Sequence, residues 1–314
     1  MVSYRSIEDL RFFPMKTLLA GLLAPLLLFS SVACLQAAPA KPLVIATYNV
    51  ENLFDGIPDN PRNKKERAKP KKELRALADT LHQINPDVVV MQEVESLKTL
   101  KAFQDKYLKD MGYAEPVLIE GNDPRGIDVA LLTRLKVESQ VTHKDYKFQV
   151  ENRKRGFSRD LLQVTLKADT GYRFTVFATH LKSKLGGKES DTVRQAEAQA
   201  IQTLLADFQK KDPKANFVLM GDFNDEPHSL PLKPLLSPKN PVGLKDIAAA
   251  DLGIKPTVFS YHPKKYRSRI DYILVSPAML PEYRAKSVHI LSTPEAYWAS
   301  DHLPIVAEFT PQDQ

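Results

Sequence analysis

The sequence predicts an α/β domain built on two packed sheets, with helices on the outside. Three observations predict it. Short apolar runs rich in β-branched residues alternate with amphipathic helical stretches, several runs are separated only by short turns that suit antiparallel pairing, and no internal repeat or low-complexity segment interrupts the series. Residues 43–49 (LVIATYN) and 87–92 (DVVVMQ) read as buried strands. Between them, residues 55–72 hold Pro58, Pro61 and Pro70 in a polar, basic loop. The following stretch, 73–84, sets Leu74, Leu77, Ala78, Leu81 and Ile84 at helical spacing. Residues 97–108 and 189–209 are further helices, and 128–133, 161–167, 173–179, 216–221, 269–276 and 305–309 complete the strands.

Ahead of this domain lies a leader. Met15-Lys16-Thr17, the apolar run from Leu18 to Phe29, a small-residue stretch and Ala38-Pro39-Ala40 have the form of a secretory signal with an A-x-A cleavage site. The expected organisation is a signal peptide over 1–40 and one domain over 41–314, in a secreted or periplasmic protein. Glu8 and Asp9 are unsuited to the start of such a signal, which favours Met15 as initiator. A competing reading is a lipobox at Ser31-Val32-Ala33-Cys34, with Cys34 carrying the lipid anchor. Cys34 is the single cysteine, which excludes an internal disulfide, a Cys-x-x-Cys zinc site and a dithiol redox pair. The net charge of +6 is too small to mark a histone-like binder.

Nearly every apolar strand ends in a residue able to bind a metal or move a proton. Asn49 and Glu51 follow the first strand, Glu93 the second, His180 the run that begins at Arg173, and Asp222 and Asn224 the run near Phe217; Asp271 lies in RIDYI, and Asp301-His302 precedes the last strand. Strand ends are where α/β sheets bind ligands. Singly, each has a plainer explanation: Asp222-Phe223-Asn224-Asp225 suits a turn, and His180 or His302 suits a satisfied core histidine. Asp271 is harder to dismiss, because an acid flanked by Ile270 and Tyr272-Ile273 is costly to bury unpaired.

Taken together, TYNVEN (47–52), QEV (92–94), Arg159-Asp160, Thr179-His180, GDFN (221–224), RIDYI (269–273) and SDHLP (300–304) resemble, in order and spacing, the motif set of the endonuclease/exonuclease/phosphatase superfamily, the DNase I-like fold. The resemblance spans about residues 43–309. It implies a four-layer α/β/β/α sandwich and a metal-dependent phosphodiester hydrolase. A hard cation such as Mg²⁺, with Mn²⁺ or Ca²⁺ as alternatives, is held by few carboxylates, and the resemblance seats it on Glu93 and Asn49 with Asp301 beside them. His302, oriented by Asp271, contacts the scissile phosphate or acts as general base; Asp222 and Asn224 position or activate the attacking water and bind phosphate oxygens. Whether Asp222 or His302 takes the proton is left open. His180 makes a second histidine, as in secreted DNase I-type enzymes, and Arg159 is the expected phosphate clamp. Two departures stand out: Asp128 occupies the region where abasic-site repair enzymes carry a catalytic Tyr, and Glu51 replaces a more usual Asp.

Two basic stretches are candidates to receive a polyanion: residues 62–75 hold eight Lys/Arg against two Glu, and residues 144–159 hold six Lys/Arg. Solvated loops are the competing explanation, and no sequence-reading motif is visible. The expected function is a secreted nuclease acting on DNA or RNA without sequence specificity, monomeric and with no stable protein partner. The alternatives are a phosphatase, a sphingomyelinase-like phospholipid phosphodiesterase, or a surface binding module without catalysis.

Overall fold

A computed structural model of the chain describes residues 41–57 and 67–313. The leader with Cys34, and Arg62, Lys64 and Lys65 of the first basic stretch, lie outside the described residues. In chain order the strands are β1 (Leu43–Leu53), β2 (Val88–Val94), β3 (Val117–Leu118), β4 (Asp128–Thr133), β5 (Lys136–Thr142), β6 (Phe148–Val150) and β7 (Arg153–Arg155). They continue with β8 (Leu161–Lys167), β9 (Arg173–His180), β10 (Phe217–Asp222), β11 (Lys245–Asp246), β12 (Asp271–Val275), β13 (His289–Ile290) and β14 (Ile305–Phe309). The helices are α1 (Lys71–Ile84), α2 (Leu97–Tyr107), α3 (Gly187–Lys211) and the short α4 (Lys233–Leu236), α5 (Ile247–Leu252) and α6 (Pro294–Ala299). Among the described residues no helix is long and apolar enough to cross a membrane.

The strands form two six-stranded mixed sheets, ordered β13-β14-β1-β2-β4-β3 and β11-β12-β10-β9-β8-β5, with β6-β7 as a separate hairpin. Period-2 alternation sorts the side chains of each strand between two apolar layers. Ile45, Val88, Val90 and Val129 of the first sheet meet Val164, Val176, Met220 and Ile273 of the second in the central layer. Their neighbours Ala46, Tyr48, Val89 and Met91 face outward under Leu77, Leu81, Leu100 and Phe103 of α1 and α2. On the far side Phe177, Phe217 and Leu219 lie under Ala198, Ile201 and Leu205 of α3. Helix, sheet, sheet, helix is the four-layer order that the resemblance implies.

Helix ends follow local chemistry. Ser96 caps α2 by accepting from Thr99 N at 3.2 Å, and Asn85 closes α1 in the left-handed conformation that Asn tolerates. Elements without a periodic apolar signature are not predicted by the sequence: β5 is almost wholly exposed, and β3, β11 and β13 are two residues each. β5, β11 and β13 are held by pairing to a neighbour more than by burial of their own, whereas Val117 and Leu118 of β3 are buried but too few to leave a pattern.

Where β9 and β10 run parallel, Gly221 sits opposite Thr179 with φ +146°, and a Cβ there would fall 1.9 Å from the Thr179 carbonyl oxygen. Only glycine admits so close an approach. Gly221→Ala is expected to cost about 2–4 kcal/mol in unfolding free energy by overpacking and backbone strain, measured by denaturant unfolding; a cost under about 0.5 kcal/mol would contradict the packing described.

Candidate active site

The pairing register assembles half of the site before any side chain is considered. β10 is flanked by β9, which sets His180 opposite Asp222, and by β12, which sets Asp271 opposite Asp222. One rung therefore carries His180, Asp222 and Asp271, and all three are buried. The first sheet completes the group. His302 enters just before β14 with its Nδ1 2.8 Å from Asp271 Oδ2 and its Nε2 3.8 Å from Asp222 Oδ2. His180 Nε2 lies 3.4 Å from the same Asp222 oxygen. Asn49 crosses between the sheets to donate its Nδ2 to Asp222 Oδ2 at 3.0 Å. Asn224 follows with a left-handed φ of 55°, donating its backbone N to Asp222 Oδ1 at 2.7 Å and its side chain to Oδ2 at 3.3 Å.

These contacts divide the two histidines. Burial holds His180 well below its ordinary pKa, and the charges of Arg159, Arg125 and His302 push the same way, so His180 is neutral. Burial also opposes charge on His302, but the Asp271 and Asp222 carboxylates outweigh it and raise its pKa to about 10. Burial lifts Asp222 to about 7, partly offset by the attraction of His302. Titratable groups driven apart in this way mark acid and base assignments.

A second set of side chains lies at the ends of β1 and β2. The β1–β2 pairing shifts register between Asn49 and Leu53, and the β2–β4 pairing between Gln92 and Val94. The irregularities coincide with left-handed backbone at Glu51 (φ 48°), Asn52 (φ 56°) and Glu93 (φ 64°), a conformation costing an L-residue about 1–2 kcal/mol. Bulges re-aim side chains, and here they aim Glu51 and Glu93 toward Asp301. Glu51 accepts from the Asp301 backbone N at 2.9 Å. Burial raises the pKa of both Glu51 and Asp301; Asp301 raises Glu51 further, while on Asp301 the attraction of His302 offsets burial and Glu93 adds to it. Glu51 and Glu93, each set toward Asp301 at a partly open mouth, offer oxygens of the kind a hard cation takes, so the residues fit the divalent ion that the resemblance implies. Asp222, Asp271 and His302 also bring ligand atoms within 4.8 Å of one another. All three are buried, and His302 Nδ1 is already paired with Asp271.

The remaining expected residues are placed as follows. The Asn49 Oδ1 accepts from Glu51 N at 3.1 Å, which leaves that oxygen one lone pair for a cation. Asp128 begins β4, accepts from Gly121 N at 2.7 Å and is lifted by burial to about 7; it anchors a loop. Arg159, the expected clamp, stands close enough to His180 for its charge to act there. It is 4% exposed, its Nη1 donates to Leu181 O at 2.9 Å, and its Nε lies 2.7 Å from Asp123 Oδ2, so its guanidinium is turned into the protein.

Several contributors are not foreseen by the sequence. Ser300 Oγ donates to Asn49 O at 2.7 Å and accepts from His302 N at 3.0 Å, and Ser260 Oγ accepts from Asp271 N at 3.1 Å. Tyr261 forms a backbone bridge with His302 and sets its ring 5.1 Å from the imidazole. Only Ser300 carries a signal, its place beside Asp301-His302; Ser260 and Tyr261 lie in a loop without periodicity.

A profile of the endonuclease/exonuclease/phosphatase family matches residues 44–303. Among solved structures, the human nocturnin catalytic domain with bound sulfate is 21% identical, with a TM-score of 0.64 over 88% of this chain and 97% of that one. An endonuclease/exonuclease/phosphatase from Bacteroides vulgatus is 19% identical, with a TM-score of 0.61 over 87% and 100%. Truncated TDP2 of Caenorhabditis elegans is 19% identical, with a TM-score of 0.57 over 86% and 98%. At these identities the likeness is one of fold. No curated protein matches the sequence.

The raised pKa values of Asp222 and His302 mean that the folded chain keeps protons the unfolded chain has released. Stability from this source is present at low pH, falls as Asp222 ionises toward about pH 7, and falls again as His302 deprotonates toward about pH 10. In metal-free protein, Asp222→Asn is expected to flatten the decline of the unfolding midpoint between about pH 4 and 7. An unchanged pH slope in that window would remove the assignment of a proton to Asp222.

Proposed function

The chain belongs to the endonuclease/exonuclease/phosphatase family and is by class a phosphoester hydrolase; from this we propose that it is an exported, metal-dependent phosphodiesterase that cleaves DNA or RNA without sequence specificity. The observation that carries the reading is the buried constellation around Asp222: a carboxylate lifted to about 7, fixed by Asn49 and Asn224, beside a neutral His180 and a cationic His302.

Hydrolysis of a phosphodiester requires a water deprotonated, phosphoryl charge neutralised and a leaving oxygen stabilised. Glu93 and Asp301, with Asn49 Oδ1 and support from Glu51, would hold the divalent cation, which supplies charge neutralisation at the phosphoryl group and leaving oxygen. Asp222 is the base: a carboxylate with a pKa near neutrality is suited to accept a proton from an attacking water, and Asn224 holds its orientation. His302, kept in its charged form by Asp271, presents an Nε2–H to a phosphoryl oxygen as that oxygen gains charge. His180, neutral and buried, holds the other side of Asp222 without adding a second positive charge.

The polynucleotide preference rests on the second basic stretch. Arg153, Lys154 and Arg155 are all exposed on β7, a few residues before Arg159. The first stretch contributes less than its composition suggests. Lys69 is buried, donates to Glu51 O at 2.8 Å and pairs with Glu73, and Lys72 lies 3.4 Å over the Trp298 ring. Export rests on the leader, with residues 41–314 as the catalytic domain.

Purified 41–314 assayed on plasmid DNA, RNA, sphingomyelin vesicles and a chromogenic phosphodiester tests this reading. Polynucleotide cleavage is expected, with a KM that rises steeply with salt while the chromogenic ester responds little; preference for vesicles over plasmid would replace the nuclease reading by the lipid one. Glu93→Gln is expected to lose about 10²-fold or more in turnover at low Mg²⁺ and to recover in part at high Mg²⁺, and full activity in excess EDTA would refute metal dependence. The exported protein should begin near Lys41 by mass spectrometry, and a retained Met1 would remove export.

A further inference from the structure

Aromatic side chains are not spread evenly over the surface. Among the described residues the exposed large aromatic side chains are Tyr266, Tyr297 and Trp298, at 60%, 39% and 59%. Tyr297 and Trp298 belong to α6, which ends at Ala299 just ahead of Asp301-His302, and Tyr266 lies in the segment between α5 and β12. These two pieces of chain bracket His302 and are joined to each other. His262 N donates to Asp301 O at 3.0 Å and Leu303 N to Ser260 O at 2.6 Å. His262 Nε2 lies 2.7 Å from Ser300 O, and the His262 ring meets Tyr297 edge to face at 4.8 Å. With Tyr261 against His302, rings run from the buried centre out to the rim.

Cations stand beside these rings. Lys72 Nζ lies 3.4 Å over Trp298, and Lys265 Nζ lies 5.3 Å from the Tyr266 ring centroid. The Arg267 guanidinium lies 4.9 Å over Phe259 and its Nε donates to His262 O at 3.3 Å. Lys72, Lys265 and Arg267 are themselves exposed. Residues 255–269 carry Lys255, Lys264, Lys265, Arg267 and Arg269 and no acid; Arg269 is buried against Asp246, and the other four face solvent.

We infer that this rim is a stacking platform for an unpaired stretch of polynucleotide, so that the preferred substrate is single-stranded DNA or RNA rather than duplex. A single strand presents a flat base and one negative charge per unit, which is what ring beside cation accepts. A duplex keeps its bases stacked inside and leaves a platform of this kind nothing to take. A bilayer would be met by a broad apolar face, whereas here the rings alternate with charges in a band that leads to His302. Lys72 covers one face of Trp298, and with more than half of the residue exposed the indole has surface left for a base. The backbone bonds between the two segments hold the rings in place beforehand, so little conformational entropy is lost on binding. The inference rests on the nuclease reading for its substrate and names the form of polynucleotide that the same site takes.

Trp298 is the only tryptophan of the chain, so its emission reports on the platform directly. Purified 41–314 is titrated in excess EDTA with oligothymidylate, oligouridylate, a blunt DNA duplex and phosphatidylglycerol vesicles. Quenching by either single strand is expected, with the duplex bound at least tenfold more weakly. By anisotropy of a labelled strand, Trp298→Ala should weaken binding about tenfold, within the range for one base–aromatic stack, and Trp298→Phe should retain most of the affinity. Lys72→Gln should lower the log–log salt slope by about 0.7, one phosphate contact on a single strand. In Mg²⁺ the ratio of kcat/KM on the single strand to that on a chromogenic diester should fall about tenfold in Trp298→Ala. Duplex bound as tightly as single strand overturns the platform, and so do single strands that leave the emission unmoved. A blue shift with vesicles and no response to strands also overturns it and makes the rim a membrane contact. Quenching by single strands in a protein that cleaves no polynucleotide in Mg²⁺ would remove the nuclease reading and leave the platform standing; cleavage without quenching would do the reverse.

Discussion

A carboxylate buried between two sheets is the constraint on which the site depends. Asp222 belongs to the second sheet, but the first sheet supplies the Asn49 amide that hydrogen-bonds it and the His302 ring that stands beside it. Unpaired, such a group would cost several kcal/mol. Satisfied from both sides, it ties the catalytic end of one sheet to that of the other. The central apolar layer brings the sheets together without direction, and Asp222 gives the contact its register.

Charge is distributed around this point by burial as much as by proximity. His180 and His302 flank one carboxylate at 3.4 and 3.8 Å and take opposite protonation states, because only His302 has a second carboxylate, Asp271, on its Nδ1. The difference leaves Asp222 beside one cationic and one neutral ring, which supports the proposal of Asp222 as the base. Glu51, Glu93 and Asp301 form the complementary case: Glu51 and Glu93 each repel Asp301, which His302 at 4.0 Å offsets only in part.

Precision at the mouth is obtained through local strain. Glu51, Glu93 and Asn224 all adopt left-handed backbone, at a cost that persists only where surrounding structure over-determines it. Regular strands would have alternated these side chains between the two apolar layers. Register shifts at the ends of β1 and β2 instead turn two glutamates out of the layers toward Asp301.

The buried strands were legible because a strand covered on both faces leaves a continuous apolar run, as in residues 88–91 and 217–220, and α1 and α3 because one face of each must meet a sheet. Short edge strands such as β11 and β13 leave no such trace, since neighbouring backbone, not composition, holds them. The site residues at strand ends could be named from the sequence as polar groups interrupting apolar runs, and motif order supplied their family. What the sequence could not decide was direction. Arg159 and Arg125 are both arginines near acids, and only the packed loop shows Arg159 closing on Asp123 in the interior while Arg125 is held at the rim. Linear order specifies which groups are present near a strand end; burial and the register of separate strands decide which of them meet, which are charged and which face the solvent, because those depend on neighbours far away in the chain.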